Sequence, residues 1–141
     1  MDLGLKGKNA AISGSSQGIG YAIAKSLAEE GCNVALSARN QERLDQAVSD
    51  FEAKGVKAVG VLCDLSSEEG CAKFIEESTS ALGGLDILVN NVGGMIPGSI
   101  DSVTPEIWDT ILNTNLMSFV HTTKHAVPHI KKSSAGRILN V

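Results

Sequence analysis

Five short apolar runs separated by four stretches of helical period constrain this chain more than anything else in it. Residues 9–13, 33–38, 56–62, 85–89 and 137–141 read as strands, and they are nearly continuously apolar, as strands covered on both faces are. In the first intervening stretch Ile19, Ile23 and Leu27 recur every fourth residue before a stop at Gly31. In the second, Leu44, Ala47, Val48 and Phe51 make a helical stripe that ends at Lys54-Gly55. The third opens with a Ser66-x-x-Glu69 capping box and carries Cys71, Phe74, Ile75, Ser78 and Leu82 on one side. The fourth starts at Thr104-Pro105, where the missing N–H of proline costs little. Strand and helix in alternation predict an α/β fold with a parallel sheet, and right-handed crossovers make it doubly wound. A length of 141 residues suits a single domain spanning residues 1–141, with no linker or fixed repeat inside it.

Composition removes whole classes of function. With 12 Lys+Arg against 16 Asp+Glu the net charge is −4, and no dense basic stripe exists to neutralise phosphates, so nucleic acid is not an expected partner. No apolar run reaches the ~18 residues a membrane span needs, and the first residues lack a signal-peptide pattern. Cys32, Cys63 and Cys71 form no C-x-x-C pair and sit in apolar segments, which reads as reduced thiols in a cytoplasmic setting. The 15 glycines exceed the usual share and point to backbone that approaches something closely.

That approach is legible in Gly14-Ser15-Ser16-Gln17-Gly18-Ile19-Gly20, which joins the first strand to the first helix. Its spelling is G-x-x-x-G-x-G. Gly14 permits the turn out of the strand, Gly18 lets backbone approach a diphosphate, and Gly20 lets the helix pack against the sheet. In dinucleotide folds the end of the second strand meets the adenosine ribose, where an acid binds the 2′-hydroxyl and an Arg accommodates a 2′-phosphate. That corner reads Ser37-Ala38-Arg39-Asn40. The acid is absent and Arg39 offers a permanently charged fork, which favours NADP over NAD. The competing reading is a solvated Arg at a strand end, and Gln17, by leaving the glycine loop without a cation, gives it some support.

With these residues the chain resembles the short-chain dehydrogenase/reductase superfamily, in the subgroup with the G-x-x-x-G-x-G loop. Further features follow in that family's order: Cys63-Asp64-Leu65 is similar to its adenine-contact turn, and Asn90-Asn91-Val92-Gly93 to its Asn-Asn-Ala-Gly signature, with Val in place of Ala. Trp108-Asp109 and Thr114-Asn115-Leu116 match the helix that carries a catalytic Asn, and Gly136 to Val141 looks like the fifth strand. The resemblance implies a Rossmann-like sheet of order 3-2-1-4-5 with further strands and helices after Val141. It also implies hydride transfer between nicotinamide and a small carbonyl or alcohol substrate. Cofactor contacts would come from Gly14, Ser15, Ser16, Gln17, Gly18, Ile19, Gly20, Arg39, Asp64, Leu65, Asn91 and Gly93. Asn115 would hold a water in a proton relay. Residue by residue, Asn115 also aligns with Trp108, Ile111, Leu112 and Phe119 on an apolar helical face, where a buried amide must find partners.

The family's remaining machinery, a Ser and a Tyr-x-x-x-Lys on the helix after the fifth strand, has no counterpart in these 141 residues. A tyrosine of ordinary pKa ~10 needs that neighbouring ammonium to work near neutrality. Tyr21-Ala22-Ile23-Ala24-Lys25 has the spelling but lies on the first helix, whose start faces the diphosphate and not the nicotinamide. A non-catalytic NADP-binding module or a truncated product is therefore the alternative to an oxidoreductase. His121, His125 and His129 have the four-residue spacing of helical zinc ligands, yet Pro128 disturbs the third and no carboxylate accompanies them, so no metal is expected. A longer form would be expected to pair with a second copy through the family's long helices, leaving strand five and the fourth helix exposed in this chain.

Overall fold

The computed structural model describes residues 1–141. Five parallel strands, β1 (Asn9–Ile12), β2 (Asn33–Ala38), β3 (Ala58–Leu62), β4 (Ile87–Asn90) and β5 (Arg137–Asn140), form one sheet in the order β3-β2-β1-β4-β5. The helices are α1 (Gly18–Glu29), α2 (Gln41–Glu52), α3 (Glu68–Leu82), α4 (Pro105–Leu112) and α5 (Ser118–Ile130), with a π-helical turn over Asn113–Met117 between the last two. Strand side chains alternate between two cores. Ala10, Ile12, Val34, Leu36, Ile87 and Val89 meet Ala24, Ala28, Leu44 and Phe51 of α1 and α2. Ala11, Ala35, Val61 and Leu88 meet Cys71, Phe74, Ile75 and Ala126 of α3 and α5 on the other face. This is the doubly wound arrangement that the continuously apolar strands predict.

Local differences from the sequence reading have physical causes. The side of α1 buried on the sheet is Gly20, Ala24 and Ala28, one position on from the Ile19, Ile23, Leu27 stripe, and Ile19 is 65% exposed. Small residues let this helix lie close to β1, and the larger ones flank the contact. The α3 cap is Ser67, whose hydroxyl accepts the Gly70 N–H at 3.1 Å, and not Ser66, whose own N–H is taken by Asp64. Residues 85 and 86 precede β4, and the Asp86 carboxylate accepts the Asn9 N–H and the Ser133 hydroxyl. Thr104 caps α4 and Pro105 begins it, as read from sequence.

The fourth helix and the fifth strand are uncovered, as expected from sequence. No residue of α4 is buried, and Trp108, Leu112, Leu116 and Val120 are about half exposed along α4 and α5, as are Ile138 and Leu139 of β5. At the far end of β4, fully buried Asn90 donates to Asn140 Oδ1 at 2.9 Å and Thr123 Oγ1 at 3.1 Å, and accepts from the Thr122 hydroxyl. Asn90 and Asn140 are also register partners in the sheet.

Candidate nucleotide-binding site

A cleft of about 600 Å³ opens over the carboxyl ends of the strands, where the order reverses between β1 and β4. The glycine turn forms its floor. Gly14 and Gly18 both hold φ +61°, a left-handed conformation open to glycine at no steric cost. A Cβ on Gly18 would meet nothing within 4 Å, so bare backbone faces the cleft there. A Cβ on Gly20 would collide with the Gly14 carbonyl oxygen and lie 2.6 Å from Asn91 Nδ2, which makes this glycine a matter of packing. Gln17, the residue that enters α1, makes no side-chain cap, so the first amides of the helix keep their donors free beside the turn. Free amides and the positive end of the helix dipole together favour an anion at that point.

The turn is held from behind. Asn91 Nδ2 donates to the carbonyls of Ser13 and Gly14 at 3.1 Å each, and the Asn91 and Val92 N–H groups both donate to Ser13 Oγ, at 2.8 and 3.0 Å. The Gly14 N–H reaches Ser37 Oγ at 2.9 Å, and buried Ser15 donates to the Ile12 carbonyl and accepts the Ser37 N–H. β1, β2 and β4 thus share one polar knot under the turn.

Of the residues singled out from sequence, Gly14, Ser16, Gln17, Gly18, Arg39, Asp64, Leu65, Asn91, Gly93 and Asn115 line the cleft. Ser15, Ile19 and Gly20 do not; the first is buried in the knot, the second faces solvent and the third packs the helix. At the β3 end Ser66 donates its N–H to Asp64 Oδ1 at 2.9 Å. The Ser66 amide and hydroxyl hold the Asp64 carboxyl below the usual carboxylate range, and the Arg39 charge adds to this. Arg39 is exposed and makes no hydrogen bond or ion pair of its own.

At the opposite end Asn115 is half-buried in the π-helical turn. Its Nδ2 donates to the carbonyls of Gly94 and Ile111 at 2.9 Å each, and its Oδ1 accepts the Gly94 N–H at 3.0 Å. Both amide protons are spent on backbone. The side chain therefore pins the β4–α4 loop to the helix, and a Cβ on Gly93 would lie 2.8 Å from its Oδ1.

With this geometry in hand, a family model described as short chain dehydrogenase matches residues 8–141. The chain belongs to the short-chain dehydrogenase family. It is 40% identical over its whole length to the uncharacterized oxidoreductase YvrD of Bacillus subtilis, of which it covers 53%. L-sorbose reductase from Gluconobacter frateurii, solved with NADPH and L-sorbose, superposes with a TM-score of 0.95 at 37% identity, over 99% of this chain and 54% of that one. A 7α-hydroxysteroid dehydrogenase solved with NADH superposes at 0.92 and 32% identity, over 97% and 53%. The chain spans about half the length of the relatives it matches.

Two further groups lie where the family's order of motifs does not point. Arg43, in the first turn of α2, lines the cleft and donates from Nη1 to Gln17 Oε1 at 2.8 Å. Its position one turn after the Asn40 cap is the signal that could have found it. Glu68 of α3 approaches His121 Nδ1 at 3.8 Å, His125 Nε2 at 3.5 Å and Lys124 Nζ at 2.7 Å. A carboxylate does accompany these histidines, contrary to the sequence reading, but it is the counter-ion of Lys124, and His129 lines a different hollow beside Asp86. Tyr21 lies outside the cleft; its hydroxyl donates to Asp50 at 2.9 Å and its ring leans on Phe51.

Proposed function

We propose that this chain is the cofactor-binding part of an NADP(H)-dependent oxidoreductase that moves a hydride between nicotinamide and a small carbonyl or alcohol substrate. One observation carries the choice of NADP: the β2 corner, Ser37-Ala38-Arg39, presents an unpaired guanidinium and no carboxylate to the cleft. The fold by itself takes either cofactor among its structural relatives, so the charge at this corner decides. Bound NADPH would supply the hydride. The residues fit such a group: bare backbone at Gly18 would receive the diphosphate, Asp64 and Leu65 would border the adenine, and Arg39 would meet the ribose 2′-phosphate.

Asn115 serves as a positioning residue. By pinning Gly94 it fixes the loop from Asn91 to Ile96 along the end of the cleft that would hold the nicotinamide. One lone pair of its Oδ1 is left to hold a water there. Residues 1–141 form one domain of a protein that works as a cytoplasmic enzyme, and a longer form pairs with a second copy.

A second reading, a module that binds NADP without turnover, rests on Tyr21 lying outside the cleft with its hydroxyl donating to Asp50. Fluorescence titration with NADPH and NADH tests what the two readings share. Tighter binding of NADPH, weakened by Arg39→Ala, supports it; a folded protein that binds neither overturns it. Turnover of a carbonyl panel with NADPH then separates the oxidoreductase from the module.

A further inference from the structure

Arg43 and Gln17 both line the cleft and are joined there by a hydrogen bond although 26 positions separate them. Gln17 is a poor helix cap and makes none, so its side chain is free to reach outward. The backbone of Arg43 is fixed at the start of α2, where its N–H is held by the Asn40 side chain at 2.9 Å. The guanidinium of Arg43 is thereby held at the cleft that Arg39 also lines. Neither arginine has a carboxylate within ion-pair distance, in a chain whose net charge is −4. Both guanidinium groups line the same cleft with no carboxylate in ion-pair contact, which favours an anion there.

We infer that Arg43, oriented by Gln17, is the second cation of the 2′-phosphate site, completing with Arg39 a two-armed clamp on the adenosine ribose. This rests on the NADP reading above. It also accounts for the neutral Gln17 in the glycine loop. The loop carries no charge of its own and borrows one from α2, because the amide accepts from Arg43 and leaves four of its five N–H groups for the phosphate. Arg43 would then set cofactor preference, and Gln17 would be a positioning residue acting through it.

The test is binding of adenosine 2′,5′-bisphosphate against 5′-AMP by calorimetry, probes that differ only in the phosphate at issue and need no turnover. Arg43→Ala is expected to weaken the bisphosphate about tenfold, the worth of one charge-assisted hydrogen bond, while 5′-AMP stays within about twofold. Arg43→Lys should restore part of the loss, since charge returns without the fork. Gln17→Glu should weaken the bisphosphate as well, by pairing with Arg43 and adding a negative charge to the rim. Both side chains, Arg43 and Gln17, are exposed, so folding is not at stake. If Arg43→Ala binds the bisphosphate as the parent does, while the parent prefers it to 5′-AMP, the inference fails and the NADP reading stands. If the parent shows no preference at all, the NADP reading itself fails and takes the inference with it.

Discussion

Gly20→Ala tests the packing beneath the glycine turn. Alanine is the better helix former, so in an exposed helix interior this change would stabilise by about 1 kcal/mol. Here the new methyl would collide with the Gly14 carbonyl oxygen and lie 2.6 Å from Asn91 Nδ2. Neither neighbour is the loose end of a flexible side chain. The carbonyl belongs to a turn whose N–H is bound to Ser37 Oγ at 2.9 Å, and the amide bridges Ser13 and Gly14 at 3.1 Å each. Relief requires α1 to lift or a bond of the knot to break. Overpacking of ~1–3 kcal/mol and a lost hydrogen bond of ~1 kcal/mol, set against the helix gain of ~1 kcal/mol, leave a net destabilisation of about 1–3 kcal/mol. For a domain of this size that lowers the melting temperature by roughly 3–12 °C. Far-UV circular dichroism melting measures it, with Gly18→Ala as the companion variant. That position has φ +61° and open space, so it loses about 1–2 kcal/mol to the backbone conformation alone, and its methyl stands where a diphosphate would lie. A Gly20→Ala protein that melts at or above the parent temperature would refute the packing account.

Other perturbations read other parts of the fold. Asn115→Ala removes three hydrogen bonds to Gly94 and Ile111 and is expected to cost about 1–2 kcal/mol. Hydrogen exchange should then quicken in residues 93–96, and unchanged exchange there would dismiss the pinning role. Tyr21→Phe loses the bond to Asp50 and should cost under about 1 kcal/mol while leaving NADPH affinity intact; a large loss of affinity would place Tyr21 in the site after all. Burial pushes the Cys63 thiol up to about 12 and the Cys71 thiol to about 11; iodoacetamide at neutral pH should label fully buried Cys71 only on unfolding, and fast labelling of Cys71 in the native protein would contradict its burial. Asp50, Asp64, Glu68, Asp101 and Glu106 are all held below the ordinary carboxylate range, chiefly by hydrogen bonds, the one to Glu68 coming from Lys124 beside His121 and His125. A lowered carboxylate stabilises the fold above its unfolded value and loses that contribution as pH falls through the folded one. Melting temperatures should therefore decline below about pH 4, and a flat profile down to about pH 2.5 would count against these bonds.

The sheet was legible because parallel strands buried on both faces leave an unmistakable record, and β2 and β5 begin where the apolar runs do. The glycine turn was legible for a similar reason, since left-handed backbone and tight packing leave glycine little competition. What escaped was whatever depends on distance between helices. The buried side of α1 is written in Gly and Ala, which carry little apolar weight, so periodicity settles on the flanking Ile and Leu instead. Glu68 and the histidines lie more than fifty residues apart and meet only once α5 crosses α3. The Asn115 side chain was expected among apolar neighbours, but the π-helical turn carries it to the β4–α4 loop, and no spacing rule announces such a turn.

Asn90 carries one more consequence, for the order of events as the sheet is built. A hydrophobic strand added at an edge can slide along its neighbour and still bury similar surface, so apolar contact alone gives β5 weak instructions about where to stop. The buried amide makes the stopping point discrete. Shifted by one residue, β5 would set Leu139 or Val141 opposite Asn90 and leave the amide short of a partner, at about 1–3 kcal/mol against the misaligned form. Asn90, Asn140 and the threonines of α5 thus act as a proofreading device, letting β5 dwell only in the alignment that also seats α5.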